Sequence, residues 1–141
     1  MPTLPETIAG ILKSSPDALI VCHVAPDGDC LGGALALALA CESAGLPASV
    51  GSADGVPEAY VVLPGASQII TTPPADRRFG VGVAVECSSL ERAGSFADAL
   101  QRSRTLINID HHLSNTGYGN VVYWDTSAAA VGEQVYEILR A

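Results

Sequence analysis

Hydrophobic positions along this chain gather into short runs that are mostly continuous, with polar punctuation between them. Three runs, "ALIVCH" (18–23), "VGVAVEC" (81–87) and "TLINID" (105–110), have strand length and are rich in β-branched residues. "ASVGS" (48–52) and "NVVYW" (120–124) read as shorter strands. The helical signals lie between them. Thr3 with Glu6 three residues on, and Pro5 in the first turn, forms a capping box that opens a helix running to about residue 14. Residues 30–44 predict a helix that is apolar almost all round, with Gly45 as its C-cap. A helical patch covers 89–101. Asp125 is expected to cap a final helix whose Val131, Val135, Ile138 and Leu139 share one face. The Pro- and Gly-rich stretch 53–80 is less defined; within it "AYVVL" (59–63) fits a strand or a helical turn. Strand and helix alternate, which predicts an α/β fold: one domain built on a mostly parallel sheet with helices on both faces.

Composition narrows the class. The chain has 141 residues and is 48% hydrophobic, enough for one globular domain with a real core. Its longest apolar stretch, "CLGGALALALAC", is twelve residues, too short to cross a bilayer and better read as a buried helix. No basic region precedes an apolar run at the N-terminus, so a cytoplasmic location is expected. The four cysteines, Cys22, Cys30, Cys41 and Cys87, lack CxxC spacing and lie in apolar elements, which predicts buried free thiols. The formal charge is −8 with seven Lys plus Arg, a surface that repels long polyanions. A phosphate ester could bind only with cations supplied by metal or by protein beyond these residues.

Charge placement changes the picture again. Three strands end in metal-ligand types: His23, Asp27 and Asp29 after the first, Glu86 after the third, and Asp110, His111 and His112 after the fourth. In open α/β sheets, ligands bind at the carboxyl ends of strands, so these distant segments should converge. A set of imidazoles and carboxylates without thiolate suits Mn²⁺ or Mg²⁺ better than structural zinc. Four carboxylates and three imidazoles exceed the needs of one ion, and suit two bridged ions. By itself "PDGD" (26–29) fits a solvated turn. Gly32 and Gly33 are expected to permit close helix–strand packing, and Arg92 to serve a structural ion pair, with a phosphate contact as the less favoured alternative.

"HVAPDGDCLGG" (23–33) followed by "DHHLSN" (110–115) resembles the DHH phosphoesterase family, with a match from about residue 15 to the C-terminus. "INIDHHLSNTGYGNVVYWDTSAAAVGEQVYEIL" (107–139) is similar to the branch of bifunctional oligoribonucleases and 3′-phosphoadenosine 5′-phosphate phosphatases. The resemblance implies that His23 and Asp27 hold one Mn²⁺, that Asp29 and His111 hold a second, and that Glu86 occupies the place of a bridging aspartate. It implies that His112 contacts the scissile phosphate, that Asp110 orients an imidazole, and that Asn115 holds the following loop beside the substrate. Glu86 is longer than that aspartate by one C–C bond, about 1.5 Å. The family's last metal aspartate and its small substrate-binding domain fall beyond Ala141, so residues 1–141 correspond to the catalytic domain alone.

The implied activity is in-line hydrolysis of short oligoribonucleotides and nucleoside 3′,5′-bisphosphates, with two cations neutralising the developing charge. Three alternatives stay open: a cyclic or linear dinucleotide phosphodiesterase, a single-strand exonuclease, and a degenerate module that binds nucleotide or metal without catalysis. The expected partners are short oligonucleotides or nucleotide phosphates, with neither membrane nor long duplex nucleic acid. Homodimerisation is left open.

Overall fold

The computed structural model describes residues 1–141. The chain opens with helix α1 (Leu4–Ser14), where Thr3 Oγ1 accepts the Glu6 N–H and Glu6 Oε2 accepts the Thr3 N–H at 2.6 Å, the expected capping box. The elements that follow are β1 (Ala18–Cys22), α2 (Gly28–Ser43), β2 (Ala48–Gly51), β3 (Val81–Val85), α3 (Ala97–Arg102), β4 (Thr105–Asp110), β5 (Val121–Trp124) and α4 (Val131–Arg140). The strands form one sheet in the order β2-β1-β3-β4-β5, parallel throughout.

Both sheet faces are covered, which is why the strands read as continuous apolar runs. Ile20, Val83, Ile107 and Ile109 point to one face and pack with Ile8, Leu31, Leu37, Val135 and Ile138 of α1, α2 and α4. Leu19, Val21, Ala84 and Leu106 point to the other and pack with Phe79, Phe96 and Leu100 around α3. Gly33 of α2 permits close packing, since a Cβ there would meet Val131 at 3.2 Å and Val85 at 3.6 Å. Gly32 faces open space and has no such role. All four cysteines are free and buried, as expected.

One open local expectation is decided and others are corrected. "AYVVL" resolves as a helical turn, a 3-10 segment at Glu58–Tyr60. The patch at 89–101 is two pieces, a 3-10 segment at Leu90–Phe96 and α3, broken where Gly94 turns to φ 60°. Asp125 does not cap α4. Its carboxylate accepts the Ser127 N–H at 2.9 Å and Oγ at 2.6 Å in a local turn, ahead of the helix start at Val131. Leu139 is 44% exposed: of the four apolar positions expected on the buried face, Val131, Val135 and Ile138 reach the core, and Gln134 is buried beside them.

The order of strands reverses at β1: the chain leaves it for β2 on one side and later for β3 on the other. Connections on opposite faces part there and leave a crevice outside the carboxyl ends of β1 and β3. His23, Glu86 and Asp110 stand at the carboxyl ends of β1, β3 and β4.

Candidate metal centre and active site

After β1 the chain is pinned residue by residue. The Val24 N–H donates to the Arg92 carbonyl at 2.7 Å, and Ala25, at φ 50°, donates its N–H to Asp54 Oδ2 at 2.7 Å. Asp27 then caps α2, its Oδ1 accepting the Cys30 N–H at 2.9 Å. The "PDGD" turn is thus a helix start, and Gly28 and Asp29 belong to its first turn. Asp29 reaches 102 residues along the chain: Oδ2 accepts the Val131 N–H at 2.9 Å and Oδ1 the Gly132 N–H at 3.0 Å. It thereby caps α4, the task that sequence pattern assigns to Asp125. A carboxylate suits the N-terminus of a helix electrostatically, and this one stands between two such termini.

Glu86 follows β3 directly. Its N–H extends the sheet ladder to the Ile109 carbonyl at 2.8 Å, and its backbone then turns left-handed at φ 58°. A non-glycine residue held there costs about 1–3 kcal/mol, so the surrounding structure must over-determine it. The side chain is 5% exposed and Oε2 has no hydrogen-bond partner. Burial, then the charges of Asp29 and Asp27, push its carboxyl up to about 7. A strained, buried carboxylate with an oxygen left unpaired is costly alone and favourable beside a cation.

The histidines supply the complement. His23 Nδ1 donates to the Val24 carbonyl at 2.6 Å, His111 Nδ1 to the Ala128 carbonyl at 3.1 Å, and His112 Nδ1 to Asp110 Oδ1 at 2.7 Å. These acceptors place a proton on Nδ1 in all three rings, so Nε2 is the atom each ring can offer to a metal. All three Nε2 atoms turn toward Glu86. His23 Nε2 is 3.9 Å from Glu86 Oε2 and 3.8 Å from Asp27 Oδ1. His111 Nε2 is 3.4 Å from Glu86 Oε1 and 3.6 Å from Asp29 Oδ2, and His112 Nε2 is 3.9 Å from Glu86 Oε1. Burial lowers the His111 pKa, but the Ala128 carbonyl and the neighbouring carboxylates outweigh it and the net shift is upward.

Nε2 atoms facing carboxylates at such spacing describe the flanks of a cation site. Two donor atoms, each about 2.1 Å from an ion, lie about 3.0 Å apart at right angles and about 4.2 Å apart when opposite. The separations here fall within that range. The two oxygens of Glu86 face different groups: Oε2 the His23–Asp27 pair, Oε1 the His111–Asp29 pair. The residues present therefore fit divalent-cation binding, with imidazole and carboxylate donors of the kind that suits Mn²⁺ or Mg²⁺.

The remaining residues stand behind this set. Asp110 is fully buried; besides His112 it holds Asn115, whose Nδ2 donates to Oδ2 at 2.7 Å. Asn115 also exchanges bonds with Asn108 at 3.2 and 3.3 Å and accepts the Gly117 N–H at 2.7 Å. Its amide is spent inside the protein, so it holds the loop and Asp110 and does not face the crevice. Gln134 clamps β4 to β5, donating to the carbonyls of Asp110 at 3.1 Å and Tyr123 at 2.9 Å, and Trp124 Nε1 donates to the His112 carbonyl at 2.8 Å. Of this tier the sequence names Asp110 and Asn115 but misses Asn108, Gln134 and Trp124. Asn108, polar in the middle of an apolar strand, is the available signal. Sequence reasoning also misses Cys30, whose Sγ lies within 4.8 Å of ligand atoms of His23 and Glu86. Burial raises the Cys30 thiol pKa strongly, and the thiol donates to the Val85 carbonyl at 3.2 Å, so it packs as a neutral group. Arg92 makes no ion pair with a carboxylate; its guanidinium lies 3.4 Å from His23 Nδ1.

Fold and crevice together define an open parallel α/β domain with an imidazole–carboxylate cluster at its switch point. Residues 17–141 match the family model "DHH family, N-terminal domain", and the chain belongs to that family. Membership suggests phosphoester chemistry. Among solved structures, the chain is similar to an exopolyphosphatase-related protein from Bacteroides fragilis, with a TM-score of 0.86 and 22% identity over 97% of this chain. At that identity the likeness shows the fold. The chain spans 43% of that protein's length. No helix of this chain is long and apolar enough to cross a membrane.

Proposed function

We propose that this domain carries the catalytic residues of a Mn²⁺-dependent phosphoesterase acting on short oligoribonucleotides and nucleoside 3′,5′-bisphosphates. The observation that carries this reading is the placement of Glu86 between two His–Asp pairs, one carboxylate oxygen toward each. His23, Asp27, Asp29, His111 and Glu86 would hold the two ions. Bound there, the ions supply Lewis-acid polarisation of the phosphoryl oxygens and make water nucleophilic near neutral pH.

The chain's own residues do the rest. Asp110 keeps the His112 proton on Nδ1 and fixes the ring, so Nε2 is the atom turned to the crevice, on a side chain 45% exposed. A contact from Nε2 to a phosphoryl oxygen would need a proton on Nε2 as well as the one Asp110 holds on Nδ1, with Asn115 holding Asp110 from behind. Asp29 ties the ligand cluster to the start of α4. The bond from the Ala25 N–H to Asp54 keeps the β1 exit from relaxing away from Glu86. The resemblance of residues 107–139 supports nucleotide substrates, and the charge of −8 favours short ones over long polyanions.

The test incubates the folded chain with Mn²⁺ and a 5′-phosphorylated diribonucleotide, a nucleoside 3′,5′-bisphosphate, or inorganic polyphosphate. Mn²⁺-dependent release of mononucleotide or phosphate from the first two, abolished by chelator, is the expected result. A folded, Mn²⁺-loaded protein that leaves both nucleotides intact overturns the reading. Preferential cleavage of polyphosphate would keep the reaction class and replace the substrate.

A further inference from the structure

The site is a cluster of carboxylates and imidazoles. Asp27, Asp29, Glu86 and Asp110 bring four carboxylates, so two divalent ions would bring it only to neutrality. A phosphoryl group would then add its own negative charge. Where the chain keeps its cations is therefore informative. Of seven Lys plus Arg, six lie toward the amino edge of the sheet or on segments leading into it. Lys13 is in the last turn of α1, Arg77 and Arg78 precede β3, Arg102 and Arg104 precede β4, and Arg140 ends α4. Arg77 pairs with Asp17 at 3.0 Å and Arg78 bonds the Arg102 carbonyl at 3.0 Å. Arg92 alone stands at the carboxyl edge.

Its backbone is fixed there, because its carbonyl accepts the Val24 N–H at 2.7 Å, one residue beyond His23. Its side chain is exposed, and its terminal nitrogen lies 3.4 Å from His23 Nδ1. That approach is not a satisfied bond. The Nδ1 proton already points to the Val24 carbonyl at 2.6 Å, so two donors face one another. No carboxylate answers the guanidinium. It is a planar, permanently charged fork parked against a ligand-type histidine with nothing to accept from it. Phosphate oxygens are what such a fork binds bidentately.

We infer that Arg92 is a substrate-binding residue that grips non-bridging oxygens of the phosphoryl group seated over the His23–Glu86 side of the crevice. This rests on the phosphoesterase reading and extends it to a second side of the substrate, opposite His112. The probe is inorganic phosphate, titrated into the Mn²⁺-loaded chain by calorimetry, with Mn²⁺ titrations run in parallel on the parent, Arg92→Ala and Arg92→Lys. The expected result is unchanged Mn²⁺ affinity in all three, phosphate affinity lower by about tenfold or more in Arg92→Ala, and an intermediate loss in Arg92→Lys, which keeps the charge and loses the fork. KM for the diribonucleotide should rise in the same order. Equal phosphate affinity and KM in parent and Arg92→Ala, with Mn²⁺ bound normally, overturns the role of Arg92 and leaves the phosphoesterase reading standing. Lack of Mn²⁺ binding by the folded parent overturns both.

Discussion

Two strand ends of this molecule, a few ångströms apart, are built on opposite plans. At the end of β4, Asp110 is fully buried and both its oxygens are bonded, one to His112 and one to Asn115, which is itself tied to Asn108 and Gly117. At the end of β3, Glu86 is almost as buried, sits in left-handed backbone, and leaves one oxygen with no partner. A buried carboxylate with satisfied oxygens is a finished structural part. One that combines strain, an orphan oxygen and a raised pKa is the part that the proposed reading gives to a cation. Under the proposed function the contrast separates two roles that a carboxylate can play: Asp110 would position, Glu86 would receive.

The largest effect expected from this contrast is at Glu86. Glu86→Gln keeps the shape and removes the charge between the two His–Asp pairs. Mn²⁺ affinity should fall by more than the about 10- to 100-fold typical of residues that merely support a ligand. Glu86→Asp shortens the reach, keeps the charge, and restores the residue the family pattern carries; hydrolysis should rise. Calorimetric titration near pH 7.5 and steady-state rates check both. Two ions bound by Glu86→Gln as tightly as by the parent would remove Glu86 from the ligand set.

A smaller and different effect is expected at Asp110. Asp110→Asn preserves size but offers an amide where His112 Nδ1 needs an acceptor, so the ring should change tautomer or swing. The rate should drop about 10- to 100-fold while Mn²⁺ affinity holds, because His112 lies at the rim of the ligand set and Asp110 touches no other histidine. Parallel loss of metal and rate would merge the two strand ends into one unit and dissolve the comparison.

How much of this is legible without the fold follows the same division. The strands, the parallel sheet and the set His23, Asp27, Asp29, Glu86, His111 and His112 can be read, because continuous apolar runs ending in ligand types are a local signal and the switch point a topological one. Other features cannot. Asp29 caps a helix that starts at Val131, and no local pattern reports a cap donated from so far away. Asp125 looks like that cap because it precedes an amphipathic helix, but its carboxylate closes a tighter turn on Ser127 first. The strain at Glu86 is a φ value, and sequence offers only the negative hint that the position is not glycine. Arg92 reads as an ion-pair partner because arginine usually finds one; here the carboxylates around His23 face the ligand cluster instead.

The smallest expected effect is thermal, and its sign is the test. Glu86 in the metal-free fold titrates at about 7, above its ordinary 4.5, chiefly through burial and then through Asp29 and Asp27. A group whose folded pKa is raised contributes stability below its unfolded value, and that contribution is lost as pH rises through the folded one. His111 is also raised from 6.5, so it acts in the same direction over a higher window. The metal-free protein should lose a few degrees of Tm, about 2–8 °C, between pH 5 and pH 8 on this account. Glu86→Gln, which has no charge to bury, should lose less. Mn²⁺ inverts the slope: its ligands must be deprotonated to bind, so the Tm gain on adding Mn²⁺ should grow across the same interval. Calorimetric melts at pH 5, 6.5 and 8, with and without Mn²⁺, read both slopes at once. A metal-free Tm that climbs with pH in the parent and not in Glu86→Gln would mean that Glu86 is paired within the protein, and that the end of β3 is as finished as the end of β4.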